Sequence, residues 1–414
     1  MERIATDSIW AVAAALNEHW LIGLVLALGG MWTLPALHFR RLLAAVWREP
    51  VFRMPVMILE SDDWGAGPLE QVAALVRLHE LLAGTRDSRG EPVVMTVGLI
   101  LETIDRDATR GAGQYVALAL SASEQAQIVR VLRDGERAGV FALQLHGLTH
   151  YRPDSLLACA RNDASVAAWL DGTGPGWTEM LPPATQSCWT NTTVLPSLPL
   201  SKPAVEAHVA AEIAAWRSLF GAVPAVAVPT TFVWTPAVER AWGVAGVRAV
   251  VTPGRRYEAR GADGAPARVT AQIVNGERGE GGVLFLVRDV YFEPALGHSS
   301  TRLADGVLAR AALGRPALVE MHRFNFCGPR ATSAAYDTLR AALADLLARV
   351  PDVRFLSTAA LAELVARHDE TWLDCSLIKR LAVWARRVRE LHDFGRWARM
   401  TGLALPLRVL QALA

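Results

Sequence analysis

From residue 51 onward, short apolar runs alternate with longer segments in which apolar positions recur every three to four residues. The runs predict strands at 55–60, 92–98, 140–145, 223–228, 247–251, 283–288 and 316–321. The periodic segments predict helices at 68–83, 122–138, 203–219, 236–245, 302–313 and 332–349, and a short strand at 353–356 followed by a helix from Thr358 ends the series. Ser123 with Glu124 and Gln125 behind it, and Ser201-Lys-Pro203, are expected helix starts. Such alternation indicates βα units around a parallel sheet, and their number suits a barrel better than a small open sheet. Two stretches break the rhythm: 171–203, rich in Gly, Pro and Thr, and 253–282, rich in Gly and Arg. Both are predicted as long loops acting as lids or insertions.

The two ends follow other patterns. Residues 20–37 carry no charge, and a helix over them would cover roughly 27 Å of a ~30 Å hydrocarbon core. It is a candidate membrane helix, with a buried helical hairpin as the alternative because of Gly29-Gly30 and Pro35. Glu2, Asp7 and Glu18 against Arg3 argue against a secretory leader. Arg40, Arg41, Arg48 and Arg53 follow the apolar stretch, so a spanning helix would place the large domain at the cytoplasmic face of the inner membrane; without a span the expectation is the cytoplasm. At the other end, Trp384, Val388, Leu391, Phe394 and Trp397 interleave with arginines and predict a basic amphipathic helix through 378–414.

Composition agrees with this division. A chain of 414 residues with 52% hydrophobic and 20% charged positions can bury a large core. Its net charge of +1 is uneven, because residues 376–414 hold eight Lys/Arg against two acids while the remainder is acidic. The expected organisation is an N-terminal apolar helix in 1–50, a barrel in 51–370 and a basic helical tail in 371–414. Membrane contact is expected through residues 20–37 and the tail, and no nucleic-acid motif is present. Cys159, Cys188, Cys327 and Cys375 lie far apart without C-x-x-C spacing, so neither a zinc knuckle nor a disulfide framework is indicated.

The chemistry gathers at predicted strand ends. Asp62 and Asp63 follow the apolar run 55–59, His146 and His150 follow 141–145, and His322 follows 316–321. Two imidazoles and a carboxylate suit one divalent cation with positions left open for water and substrate. Of two adjacent aspartates, one can bind the cation while the other exchanges a proton, and side-chain alternation along a strand expects them to point apart. His322 is the candidate general acid for an amine leaving group. Trp177, Trp189 and Trp234 are candidates for an apolar wall against a sugar ring.

These residues resemble the polysaccharide deacetylases of the NodB homology, carbohydrate esterase family 4 type. Ser61-Asp-Asp63 is similar to the family's aspartate pair, His146-Gly-Leu-Thr-His150 to its two metal histidines, and Met321-His322 to its late catalytic histidine. Glu60-Ser-Asp-Asp-Trp-Gly65, Phe292-Glu-Pro294 and Met321-His-Arg-Phe-Asn325 resemble a divergent bacterial branch. The resemblance covers about residues 52–366 and implies a distorted (β/α) barrel, an α/β fold. It further implies metal binding by Asp63, His146 and His150, with Asp62 as base and His322 as acid. The implied activity is a hydrolase acting on non-peptide C–N bonds, which removes acetyl groups from N-acetylated sugars of a glycan or lipid-linked glycan precursor. The metal expected is zinc, with cobalt, nickel or iron as alternatives. A deacetylase of small amides or O-acetyl esters, and a silent carbohydrate-binding scaffold, are the competing readings. One motif departs: the family's third-motif arginine is missing from Val226-Ala-Val-Pro-Thr-Thr-Phe-Val-Trp234. Arg288-Asp289 is the candidate replacement, as a cation for Asp62 or an anion for His322, and Glu293 and His298 are expected to face the site without an assigned role.

Overall fold

The computed structural model describes residues 20, 22–23, 27, 29–173 and 176–412. They form two compact units, one of residues 52–373 and one combining the N-terminal segment to 51 with 374 onward.

The larger unit is built on nine parallel strands: β1 (Val56–Gly65), β2 (Met95–Ile100), β3 (Phe141–Gly147), β4 (Val226–Ala227), β5 (Ala249–Thr252), β6 (Leu284–Val287), β7 (Val290–Tyr291), β8 (Ala317–His322) and β9 (Arg354–Phe355). Their spatial order is β6-β5-β4-β3-β2-β1-β8-β7, with β9 beside the start of β1. The two edge strands of this order, β6 and β7, are consecutive in the chain and separated by Arg288 and Asp289 alone. One broken strand therefore pairs with β5 through its first half and with β8 through its second, which closes the sheet into the distorted barrel expected from the sequence.

β1 is buried along its whole length, as a strand covered on both faces must be, and this is why it reads as a continuous apolar run before its acids. One apolar core joins the barrel to the helices Gln71–Ala83, Ala126–Arg137, Lys202–Phe220 and Ser333–Arg349, and a second joins Val56 and Ile58 of β1 to Leu361 and Val365 of Thr358–Arg367. Ser201 caps its helix by accepting from the Ala204 amide, as expected, whereas Ser123 opens a 3-10 turn that precedes Ala126–Arg137. The stretch 253–282, predicted as a loop, contains an antiparallel hairpin of Arg255–Arg260 with Pro266–Gln272. Its outward residues are mostly polar, so it lacks the apolar run by which strands were recognised.

In the smaller unit, the Trp384 indole donates to the Leu43 carbonyl (3.1 Å), Arg380 donates to the Trp47 carbonyl (2.9 Å) and Trp32 donates to the Thr401 carbonyl (3.0 Å). The single tail helix predicted for 378–414 is instead three: Leu377–Glu390, His392–Met400 and Ala404–Gln411. Leu391 in an extended conformation and Gly402 at φ +74° interrupt it. Among the described residues no helix is long and apolar enough to cross a membrane; residues 21, 24–26 and 28 of the predicted 20–37 helix lie outside those described.

Candidate metal and acid–base site

The two aspartates occupy a β-bulge. Ser61 pairs with Val97 and Trp64 with Leu99, so β1 spends one residue more than β2 over this interval, and Asp63 absorbs the excess at φ +72°. The bulge turns both carboxylates into one cavity, which overrides the alternation that expected them to point apart. A non-glycine residue in the left-handed region is strained, and the surroundings hold it there. The Trp64 indole donates to Ser61 Oγ across the bulge (2.8 Å), and the Gln71 carboxamide accepts from the Gly65 amide (3.1 Å).

His146 lies at the end of β3, and Gly147 at φ +122° turns the chain so that His150 returns to the same point. The Nε2 atoms of His146 and His150 stand 3.2 Å and 3.1 Å from the same oxygen, Asp63 Oδ1, and all three side chains are buried. That oxygen and His150 Nδ1 have no hydrogen-bond partner, whereas His146 Nδ1 is 3.1 Å from the Val228 carbonyl. With an ion between them, a proton on Nδ1 donated to this carbonyl would leave the Nε2 lone pair for that ion, as a ligating imidazole requires. Burial would raise the Asp63 carboxyl, yet His150 and His146 hold it well below the usual carboxylate range. Ligand atoms on one tetrahedral ion with bonds near 2.0–2.1 Å lie about 3.3 Å apart, so an ionised oxygen left unsatisfied between two imidazole nitrogens fits such an ion. Among the described residues these three form the cluster able to hold a metal.

Asp62 is organised differently. Arg288 Nη2 donates to Asp62 Oδ2 at 2.6 Å, from the two-residue break between β6 and β7. The Arg288 Nε also lies 3.6 Å from Glu60 and 3.7 Å from Glu320, which makes the buried guanidinium the common counter-ion of three carboxylates. Burial raises the Asp62 carboxyl, but Arg288 and then His146 pull it below its ordinary value. Glu60, farther from the guanidinium, is pushed up to about 7 by burial, with Arg288 opposing. Asp62 Oδ1 has no partner, and a Cβ on Gly98 of β2 would collide with it, so glycine there leaves room for the carboxylate. The segment 226–234 contributes Thr231 and Phe232, both at positive φ, and the Phe232 ring lies 5.0 Å from the Arg288 guanidinium.

His322 Nδ1 stands 2.5 Å from Glu293 Oε1, and Asn325 Nδ2 donates to the other oxygen of that buried carboxylate. Burial depresses the imidazole, but the Glu293 bond and charge, joined by the charges of Asp63 and Glu320, together outweigh it and raise His322 up to about 10. Glu293 thus holds the place for which Asp289 was a candidate; Asp289 pairs with Arg310 at 3.0 Å and does not line the cavity. His298 Nδ1 accepts from the Glu293 amide (2.9 Å) and so braces the same loop.

Asp62, Asp63, His146, His150, Arg288 and His322 line one cavity of about 270 Å³. The three tryptophans do not. Trp189 and Trp234 are buried in the core, and Trp177 lies against the Arg323 guanidinium (4.9 Å), because indoles in these loops serve to plug them onto the barrel. The loop 171–203 does form a wall, through Glu179, Leu181, Pro183 and Gln186. Buried Arg260 ties it down by donating to the Gln186 carbonyl (3.1 Å) and to Thr231 Oγ1 (2.7 Å). Sequence reasoning missed Glu320, Glu179 and Arg260. Glu320 carried a signal, since it is two residues before His322 on the same strand face; the other two carried none.

No family model and no curated protein matches the chain. Among solved structures it is similar to a family 4 carbohydrate esterase from Streptomyces lividans in complex with acetate, at 13% identity over 73% of this chain and 91% of that one, with a TM-score of 0.34. A family 4 acetyl xylan esterase from Clostridium thermocellum in complex with a cobalt ion matches at 10% identity over 75% and 91%, with a TM-score of 0.33. A 4-alpha-glucanotransferase from Thermococcus litoralis matches at 10% over 86% and 48%, with a TM-score of 0.38. The solved structures that the chain resembles are mostly family 4 carbohydrate esterases and polysaccharide deacetylases.

Proposed function

We propose that the protein is a metal-dependent deacetylase of N-acetylated sugars, with Asp63, His146 and His150 as metal ligands, Asp62 as base and His322 as acid. One observation carries this reading: a carboxylate shared by two imidazoles, an arginine-clamped second carboxylate and a carboxylate-anchored imidazole face one cavity. A divalent cation held by the first group, zinc by its ligand set, supplies Lewis acidity to a water and to the acyl oxygen. Asp62, ionised because of Arg288 and lining the cavity, accepts the proton of the attacking water. Protonated His322 donates to the departing amine, and Glu293 fixes the ring so that Nε2 carries that proton. The cavity is close to the lower limit of small-ligand pockets, about 300 Å³, which suits one acetylated sugar residue at the reacting groups.

Acetate release from N-acetylated and O-acetylated saccharides by the full chain, with zinc, cobalt or nickel added, tests the reading. Asp62→Asn should lower kcat by roughly 10²- to 10⁴-fold while metal content is kept, and His146→Ala should abolish stoichiometric metal. Ester turnover without amide turnover would move the substrate to O-acetyl groups. A well-folded protein that takes up no metal would leave a binding scaffold.

A further inference from the structure

The smaller unit turns apolar side chains outward and carries exposed arginines that have no side-chain partner among the described residues. Within its N-terminal helical segment, Trp32 donates to the Thr401 carbonyl and Phe39 packs edge-on against Phe394, so the face bearing positions 32 and 39 is the packed one. Leu34 and Leu37 lie on the opposite side at 3.6 residues per turn and are 71% and 52% exposed. The last helix repeats this: Leu407 is buried, whereas Leu405 and Val409, four residues apart on the other face, are each 65% exposed. Met400, at 80%, precedes the turn between the last two helices. Isolated exposed apolar residues are ordinary, but stripes on two elements of one small unit mark a contact surface.

Charge identifies the partner. Residues 376–414 carry eight Lys/Arg against two acids. Exposed Arg396, Arg399 and Arg408 make no side-chain hydrogen bond or ion pair among the described residues, so their charge is available to an outside anion. Leucine and valine that seek an apolar phase, interleaved with free guanidinium groups, match the boundary of acyl chains and anionic headgroups. No described helix is long and apolar enough to cross a membrane, and an outward apolar stripe flanked by arginines suits a surface lying in the interface plane.

We infer that the unit formed by residues up to 51 and from 374 onward is a peripheral docking module for anionic lipid surfaces. The full chain should co-sediment with vesicles of phosphatidylcholine and phosphatidylglycerol, bind pure phosphatidylcholine far less, and be released by salt. An arginine near an anionic surface contributes about fivefold in binding, so the triple change Arg396→Gln, Arg399→Gln, Arg408→Gln should weaken affinity on the order of a hundredfold. Leu405→Ser with Val409→Ser should weaken it at least tenfold. All five positions are exposed, and circular dichroism checks that each variant folds; the lipid-charge and salt dependence of the unaltered chain decides the matter even if one does not. No binding to either vesicle, or binding that both variants leave unchanged, would overturn the proposal. So would a dimer in dilute solution that Leu405→Ser with Val409→Ser dissociates, since a second copy would then be what covers the stripes.

Discussion

Glu293 decides the state in which His322 works. The imidazole is held up to about 10 because the bond and charge of buried Glu293, with the charges of Asp63 and Glu320, together outweigh the depression by burial. Replacement by Gln keeps the size and removes the charge, and the ring then falls toward its ordinary ~6.5, with Asp63 and Glu320 still opposing burial. A general acid is effective only while protonated, so the alkaline limb of the kcat/KM profile should move down by roughly two or more pH units in Glu293→Gln. Below about pH 6 the two enzymes should converge, because both rings are then protonated. The linked stability has the same sign. A histidine raised on folding contributes fully below its unfolded value of ~6.5, and loses that contribution as pH rises through about 10. An alkaline limb that stays in place in Glu293→Gln would remove His322 from the acid role.

At the level of elements, the loop that carries both histidines is braced from behind by the helix Lys202–Phe220. Its Glu212 is buried, accepts from the Trp242 indole, and lies at the amide of Leu148, between His146 and His150. Burial pushes this carboxyl up to about 8, so it is largely protonated at neutral pH and serves as a hydrogen-bonding group rather than as a charge. An acid raised on folding contributes fully below its unfolded value near 4.5 and loses stability as pH climbs to about 8. Glu212→Gln avoids that loss. Its thermal midpoint should equal that of the unaltered protein near pH 4.5 and exceed it at pH 8–9, by a free energy of order a few kcal/mol. Equal midpoints at both pH values would show that Glu212 is not raised. This brace was invisible in the sequence because a glutamate in an otherwise ordinary amphipathic helix gives no sign of facing inward. The strands and most helices were legible, since parallel strands covered on both faces appear as apolar runs and covering helices as 3.6-residue periods. The three histidines and two aspartates were legible for the same reason, as polar interruptions at the ends of those runs. What the pattern could not give is the one-residue bulge at Asp63, which depends on pairing between strands, or the choice of Glu293 over Asp289. That choice depends on the way β7 leaves the barrel seam, two residues after Arg288. The hairpin Arg255–Arg260 with Pro266–Gln272 escaped because its Gly- and Arg-rich composition is that of a loop.

The division of the molecule separates the proposed chemistry from the proposed docking. Every residue assigned to the metal, to proton transfer or to their support lies between 52 and 373, and the two large apolar cores are confined to the same range. Barrel closure is also internal to it, because the seam at Arg288 and the parallel pairing of β8 with β1 need no residue from outside. Even the ends of the unit are tied locally, with Phe52 bridged to Leu373 and the Phe52 amide bonded to the Gly314 carbonyl. A chain of residues 52–373 should therefore fold cooperatively by itself, take up one equivalent of divalent metal and release acetate from soluble substrate within about threefold of the full chain. That limit is about 0.6 kcal/mol at the transition state, smaller than the loss of any interaction in the site. The same truncation should lose all affinity for anionic vesicles, since both exposed stripes and Arg396, Arg399 and Arg408 lie outside it. The measurements are a melting curve, a metal assay, acetate release and vesicle sedimentation on one preparation. A truncated chain that unfolds noncooperatively, or that folds and yet binds no metal, would show that the barrel depends on the terminal unit. A truncated chain that still binds vesicles would place the lipid surface on the barrel instead.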